Sequence, residues 1–232
     1  CTRAFFMTFA ALFTLALAPA LFWFWFFARR DRNSEPAWLL FRTFAWGMAM
    51  VVPAALLELG LSSLLGSNIM FLLVGLIEEG CKLLAALSVT KRREFDEPID
   101  GLIYATAAAL GFATLENAFY LLEHGASLIL LRGPISTLGH ILFAGAWGYA
   151  MSLKRFGGGD WLLRKGWLLA ALLHTIFNFL LLGAGGESGF EWLLLPFSGL
   201  MIVMWRLTGW YYTHSKQLPA KQPPPQSTEP LV

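Results

Sequence analysis

Residues 69–90 read IMFLLVGLIEEGCKLLAALSVT, an apolar run that is interrupted near its middle by Glu78, Glu79 and Lys82. A run of this length suffices for one transmembrane helix, because a hydrocarbon core about 30 Å thick needs about 20 mostly apolar residues. An ionised carboxylate deep in a bilayer costs at least a few kcal/mol, so charges there indicate a functional site. The stretch therefore predicts a membrane helix with chemistry at its centre.

The composition of the whole chain indicates an integral membrane protein. Of its 232 residues, 57% are hydrophobic and only 14% are charged, whereas an average soluble domain is about 45 to 50% apolar. The net charge is +2, and the basic residues fall in short clusters between apolar runs, so we predict no nucleic-acid partner. The two cysteines, Cys1 and Cys81, offer neither a disulfide framework nor a cysteine metal site.

Seven segments are long and apolar enough to span a bilayer, which predicts an all-α polytopic bundle of about seven helices. A further interfacial or re-entrant segment at Glu123–Pro134 would make eight. The first run is too long for a signal peptide and is expected to be retained, with residues upstream of Cys1. The transmembrane domain covers 1–213, and the Lys-, Gln- and Pro-rich residues 214–232 are predicted to be a disordered cytoplasmic tail. The seven predicted spans are 4–28, 37–60, 69–90, 100–122, 135–153, 161–183 and 191–213.

Charge in the connecting loops predicts the orientation. Lysine and arginine cluster after the first, third and fifth spans, whereas the loops after the second, fourth and sixth spans carry at most Arg132. Basic loops stay in the cytoplasm, so the N-terminus is predicted to lie outside and the C-terminus inside.

Polar residues from four different spans converge at one depth. At about 1.5 Å of rise per residue, Glu78 and His174 lie about 14 Å below the predicted outer face, and Glu116, His140 and Asn178 lie about 8 to 9 Å below it. Scattered structural polar residues would have no reason to agree in depth, so we expect a polar cluster in the outer half of the bilayer.

The spacing along the third span predicts which of its charges meet. Glu78 and Lys82 are four residues apart and share one helix face, as do His174 and Asn178. Glu79 lies about 100° round the helix from Glu78 and borders the same space. Two carboxylates this close in a low dielectric do not both ionise freely, so one of them is suited to act as a general base or acid.

These residues form an ordered series of motifs: EExxK at 78–82, PIDG at 98–101, FxxxEN at 112–117, a histidine at 140 and HxxxN at 174–178. Together they resemble the PrsW intramembrane proteases, relatives of the CAAX-prenyl endopeptidases and of bacteriocin-processing membrane enzymes. The resemblance runs from about residue 20 to about residue 210.

The resemblance implies a glutamate-dependent protease in the inner (plasma) membrane of a bacterial-type cell. Its expected substrate is a single-pass membrane protein such as an anti-sigma factor, cut near the extracytoplasmic side to start stress signalling. The family's essential carboxylates fall on Glu78 and Glu79 and its essential histidine on His174. Glu116 stands where the CAAX-type relatives have another histidine. No cofactor is implied.

The predicted mechanism is attack by an activated water. Glu78, helped by Glu79 or Glu116, takes a proton from the water, and His174 and Asn178 face the developing oxyanion. A coupled pair titrates jointly, so the sequence leaves open which glutamate is the base. The candidate catalytic residues are Glu78, Glu79, Glu116, His140, His174 and Asn178.

Other functions stay open at this stage. The same glutamates and histidines can ligate zinc, although no HExxH pair is present. Cys81, near Glu78 in sequence, is an alternative nucleophile. A proton-coupled carrier would use the buried carboxylates as a relay, and a non-catalytic scaffold would use them for packing. The substrate's identity and the oligomeric state are not predicted.

Overall fold

Eight α-helices make up nearly all of the described part of the chain. The structure, a computed structural model, describes residues 2–29, 33–125, 129–183 and 190–218. It contains no strand within those ranges, and the all-α prediction is confirmed. The helices are α1 (Thr2–Ala28), α2 (Ala37–Ala49), α3 (Val51–Leu65), α4 (Ser67–Leu87), α5 (Asp100–His124), α6 (Ile129–Arg155), α7 (Asp160–Gly183) and α8 (Phe190–Ser215).

The second predicted span is divided into α2 and α3 at Met50. Met50 accepts a backbone hydrogen bond from Ala54 and donates one to Trp46, so the chain continues through the break. Pro53 follows in the first turn of α3. It has no backbone N–H with which to continue the helical ladder of α2, and the first turn is where a helix tolerates that loss.

The segment Glu123–Pro134 does not form a helix of its own in the residues described. Glu123 belongs to α5, which ends at Gly125 with a positive φ of 86°. Residues 129–134 are the first turns of α6, with Pro134 inside that helix. Of the predicted tail, residues 214 and 215 extend α8, and residues 219–232 lie outside the described ranges, as does Cys1.

Three helical stretches of the described residues are long and apolar enough to cross a membrane: Ala10–Ala28, Ala37–Leu65 and Asp100–His124. They differ in surroundings, because 83% of the Asp100–His124 stretch is buried and only 11% of Ala37–Leu65 is. Helix α5 is therefore the central helix of the bundle. The α2–α3 rod lies at the periphery and exposes large apolar side chains such as Leu56 and Leu59.

Close helix contacts position the charged residues of α4. A Cβ at Gly75 would lie 2.5 Å from the carbonyl oxygen of Ala171 on α7, so only glycine permits α4 and α7 to approach this closely. Helix α4 also packs against α5 and α6. The face that carries Glu79 and Lys82 is thus enclosed by three helices, and both side chains are fully buried.

Candidate active site

Lys82 lies at the centre of the buried polar cluster. Its Nζ is 3.1 Å from Oε2 of Glu78 and 2.8 Å from Oε1 of Glu79. It is also 2.8 Å from Nδ1 of His140 on α6 and 4.4 Å from the ring centroid of Phe112. The predicted contact with Glu78 is present, and the ammonium group also contacts Glu79.

Glu79 is fully buried and links three helices. Oε1 lies near Lys82 and also 3.1 Å from Nδ1 of His174 on α7. Oε2 accepts a hydrogen bond of 3.0 Å from Nε1 of Trp147 on α6. Both oxygens are thus held by donors, which fixes the orientation of the carboxylate.

Glu78 has a different environment. Its Oε2 contacts Lys82 and lies 3.8 Å from Nε2 of His174, and the residue keeps 7% exposure where Glu79 has none. Glu78 lines a cavity, and Glu79 is not among the cavity's described lining residues. Of the two adjacent glutamates, Glu78 is therefore the one that can contact a water molecule in that cavity.

Glu116 joins the cluster through His140. Nε2 of His140 lies 3.0 Å from Oε2 of Glu116. Because the Lys82 ammonium can only donate, Nδ1 of His140 must accept, and the ring proton of the neutral imidazole then sits on Nε2, on the side of Glu116. Ammonium, imidazole and carboxylate are thus in successive contact from α4 through α6 to α5.

His174 is held by ring contacts as well as by Glu79. Its ring stacks on Phe143 with centroids 4.6 Å apart and an interplanar angle of 16°. The His140 ring meets it edge-on at 5.4 Å. Packing on two sides leaves the imidazole little rotational freedom, so Nε2 stays directed toward Glu78.

A cavity of about 410 Å³ adjoins this cluster. Its polar lining includes Glu78 of α4, Glu116 of α5 and Asn178 of α7. Its apolar walls include Phe71 and Val74 of α4 and Leu181 of α7. Asn178, half-buried, is one turn from His174 along α7. The structure therefore joins Glu78, Glu79 and His140 through Lys82 and places His174 beside both glutamates. Glu116 is joined through His140, and Asn178 lies in the wall of the adjoining cavity.

Two polar residues at the site have no counterpart in the sequence prediction. Trp147 could have been found from its position seven residues after His140, which puts it two turns along the same face of α6. Glu58 on α3 also lines the cavity. The predicted span ends at residue 60, which puts Glu58 at the membrane boundary. Helix α3 instead continues to Leu65. At about 1.5 Å per residue, Glu58 lies about 10 Å from that helix end.

Cys81 lies outside the hydrogen-bonded cluster. It is buried and packs with Val51, Ala54 and Phe112 in a small apolar group. These contacts are those of a packing residue, and they favour the glutamates over the thiol as the reactive groups.

Comparison with known proteins identifies the family. Residues 35–207 match the family described as "PrsW family intramembrane metalloprotease". The chain belongs to the PrsW family. Two similar relatives are the proteins named Protease PrsW from Oceanobacillus iheyensis, 31% identical over 84% of this chain and 91% of the relative, and from Clostridioides difficile, 31% identical over 89% and 94%. Protease PrsW of Bacillus subtilis is 29% identical over 84% and 91%.

The match confirms the predicted resemblance and shows a membrane protease. No solved structure matches the chain. The PrsW family residues at 35–207 include the whole polar cluster and the cavity wall on α3, so the geometry described above belongs to the matched region.

The family description implies a metal ion, and three side chains here have suitable donor atoms. Ligand atoms of Glu78, His140 and His174 lie within 4.8 Å of one another, and two histidines with a carboxylate are a known catalytic zinc set. The contact between Nδ1 of His174 and Glu79 also resembles the contact by which a carboxylate orients a metal-bound histidine.

The hydrogen bonds around His140 oppose metal binding. Lys82 occupies Nδ1 of His140 and Oε2 of Glu78, and the proton on Nε2 faces Glu116. Neither ring nitrogen of His140 then offers a free lone pair to a metal ion. A metal cation would also be repelled by the buried ammonium of Lys82. With Lys82 charged, these residues do not fit a metal ion.

Proposed function

We propose that this PrsW family protease is a glutamate-dependent intramembrane peptidase that uses Glu78 as the general base. One observation carries the proposal: Glu78 is the member of the buried carboxylate pair that lines the cavity. Its neighbour Glu79 is held on both oxygens by Lys82, His174 and Trp147. A base must contact the water it deprotonates, and the geometry favours Glu78 for that contact.

The reaction is a hydrolysis with water as nucleophile. Glu78 takes a proton from water, and the resulting hydroxide oxygen bonds to the scissile carbonyl carbon. The tetrahedral intermediate then collapses, the C–N bond breaks, and the proton on Glu78 is transferred to the leaving nitrogen. The products are a carboxylic acid, which keeps the second proton of the water, and an amine, and Glu78 is regenerated.

The surrounding residues stabilise charge during these steps. The Lys82 ammonium lies 3.1 Å from Glu78 and attracts the negative charge of the base. Asn178 in the cavity wall is proposed as a donor to the oxyanion, where one well placed donor contributes about 3 kcal/mol. His174, held by Glu79 and Phe143, faces the oxyanion through Nε2 and donates to it as an imidazolium, because Nδ1–H already donates to Glu79. Glu116 contacts His140, and His140 contacts the ammonium group of Lys82, so these two residues position the ammonium group.

The proposed substrate is a single-pass membrane protein of the anti-sigma-factor type, cut near its extracytoplasmic side in the inner membrane. The predicted orientation supports this proposal, since it puts the cavity residues in the outer half of the bilayer. The family match favours a peptidase over the proton-coupled carrier and the scaffold.

Reconstitution in liposomes tests the proposal. A single-pass substrate with a short extracytoplasmic stalk is incubated with the native chain and with Glu78→Gln, Glu79→Gln and His174→Ala. We expect each substitution to lower the cleavage rate by at least about 10²-fold. Asp160→Asn is the matched control, because Asp160 is an exposed carboxylate at the start of α7. Cleavage that survives all three site substitutions would refute the mechanism.

A further inference from the structure

Glu58 is the one polar residue that α3 contributes to the described lining of the cavity. Its Oε1 is shielded from solvent and has no hydrogen-bond partner among the described residues. A buried polar oxygen without a partner costs about 1 to 3 kcal/mol. A group that is absent from the free enzyme, such as the substrate, would remove that cost by donating to it.

The charges around the cavity are unevenly balanced. Glu78 has Lys82, and Glu116 has His140. Glu123, on the rim, is largely exposed and lies 4.0 Å from His124. None of the lining residues that the structure describes is a lysine, arginine or histidine. Of the glutamates that line the cavity, Glu58 is therefore the half-buried one beside which the described residues place no cation at ion-pair distance.

The wall beside Glu58 leaves room for a long side chain. Ala54 and Ala55 lie one turn before it on α3 and also line the cavity, so the surface next to the carboxylate is formed by methyl groups. The volume of about 410 Å³ is within the range of about 300 to 1,000 Å³ found for ligand pockets. A short peptide segment with one extended side chain fits such a space.

We infer that Glu58 is a specificity residue that binds a lysine or arginine side chain of the substrate close to the scissile bond. A cation would stabilise the ionised form of the carboxylate and donate to its Oε1, whereas a neutral residue would not stabilise that form and an acidic residue would be repelled. The inference rests on the proposed peptidase and adds a substrate class to it. The cleaved segment would be apolar except for one basic residue.

The test uses the full chain in liposomes and a substrate series. A lysine is placed in turn at each position within six residues of the cleavage site, with glutamine and glutamate at the same positions for comparison. At one position we expect lysine or arginine to raise kcat/KM at least about 30-fold over glutamine, the lower end of the loss when one partner of a buried charge pair is removed. Equal rates at every position would overturn the inference and leave the peptidase standing.

Enzyme variants assign the preference to Glu58. Glu58→Gln keeps the size of the side chain and should abolish the preference for lysine, and Glu58→Lys should reverse it in favour of glutamate. Asp160→Asn, which removes an exposed carboxylate elsewhere, should keep the preference. A lysine preference that persists in Glu58→Gln would overturn the inference, and because this variant is nearly isosteric the result does not depend on whether Glu58→Lys folds.

Substrate binding separates the inference from the proposed function. Photo-crosslinking of the same substrates to Glu78→Gln measures binding without the proposed base. One outcome is crosslinking that depends on the substrate lysine and is abolished by Glu58→Gln, while the native chain cuts none of the substrates. That outcome would support the role of Glu58 and refute the peptidase. Cleavage by the native chain, combined with crosslinking that does not depend on the lysine, would support the peptidase and refute the role of Glu58.

Discussion

Nδ1 of His174 lies 3.1 Å from Oε1 of Glu79, and this contact joins α7 to α4 at the centre of the buried cluster. Both side chains are buried and are held by further contacts, Glu79 by Lys82 and Trp147 and His174 by Phe143, so the separation of the two helices sets the distance. That separation depends on Gly75, one turn before Glu79 on α4, which packs against Ala171 and Thr175. A small residue outside the polar cluster thus controls the geometry inside it.

Gly75→Ala should reduce cleavage more than it reduces stability. The added methyl group would lie 2.5 Å from the carbonyl oxygen of Ala171 and 2.7 Å from Oγ1 of Thr175, so α4 and α7 must move apart. Overpacking of this kind costs about 1 to 3 kcal/mol, and a displacement of about 1 Å at a catalytic group can cost about 10²-fold in rate. Thermal unfolding in detergent and the cleavage assay measure the two effects.

Gly60→Ala is the matched control for that prediction. Nothing lies within 4 Å of the position of its added Cβ, and replacing a helical glycine with alanine gains up to about 1 kcal/mol. Equal loss of activity in both variants would contradict the role assigned to the contact between α4 and α7.

Trp147→Phe should destabilise the protein through Glu79. Phenylalanine keeps an aromatic ring that is smaller than the buried indole, and Oε2 of Glu79 loses the donor that lies 3.0 Å away. Leaving a buried carboxylate oxygen without that bond should lower the free energy of unfolding by about 1 to 3 kcal/mol. Trp46→Phe, at an exposed tryptophan on α2, is the comparison and should change stability little. An equal effect at both tryptophans would contradict the contribution assigned to the hydrogen bond with Glu79.

The contacts that the sequence predicted are those within one helix. Glu78 and Lys82 are four residues apart, and helical geometry alone brings them to 3.1 Å. The third contact of Lys82, with His140, and the bond from Trp147 to Glu79 depend on how α6 is rotated against α4, which periodicity does not define. The shared depth of the polar residues indicated a cluster, but it could not tell which atoms meet.

Helix ends limited the prediction in a second way. The predicted span 37–60 corresponds to the stretch Ala37–Leu65, which is long and apolar enough to cross a membrane, but the rod is divided at Met50 and continues to Leu65. That extension moves Glu58 from a predicted boundary to the cavity wall. Hydropathy cannot locate the end precisely, because the residues after 60 are only weakly polar. Glu58 was therefore not predicted as a site residue, because it lies near a helix end that hydropathy does not locate.

Lys82→Met should be among the most damaging substitutions in the chain. It removes the cation that contacts both buried glutamates and His140. Removing one partner of a buried ion pair costs about 3 to 5 kcal/mol, because the remaining charge is left uncompensated. Adding Glu79→Gln removes one of those charges, so the double variant should lose less stability than the two single variants together. Strict additivity in a double-mutant cycle would show that Lys82 and Glu79 are not coupled.

Removal of metal ions should leave the native chain active, because Lys82 holds the lone pairs that a metal ion would need at His140 and Glu78. The measurement is cleavage after dialysis against a strong chelator, with the metal content of the purified protein determined in parallel. Lys82→Gln provides the complementary case: with the ammonium gone, Glu78, His140 and His174 are within 4.8 Å of one another and free to bind. Cobalt added to this variant should give the absorption bands of a low-symmetry Co²⁺ site, and the native chain should give none. Loss of native activity in chelator that added zinc restores would contradict the metal-free mechanism, and it would mean that Lys82 gives up its contact with His140 in the working enzyme.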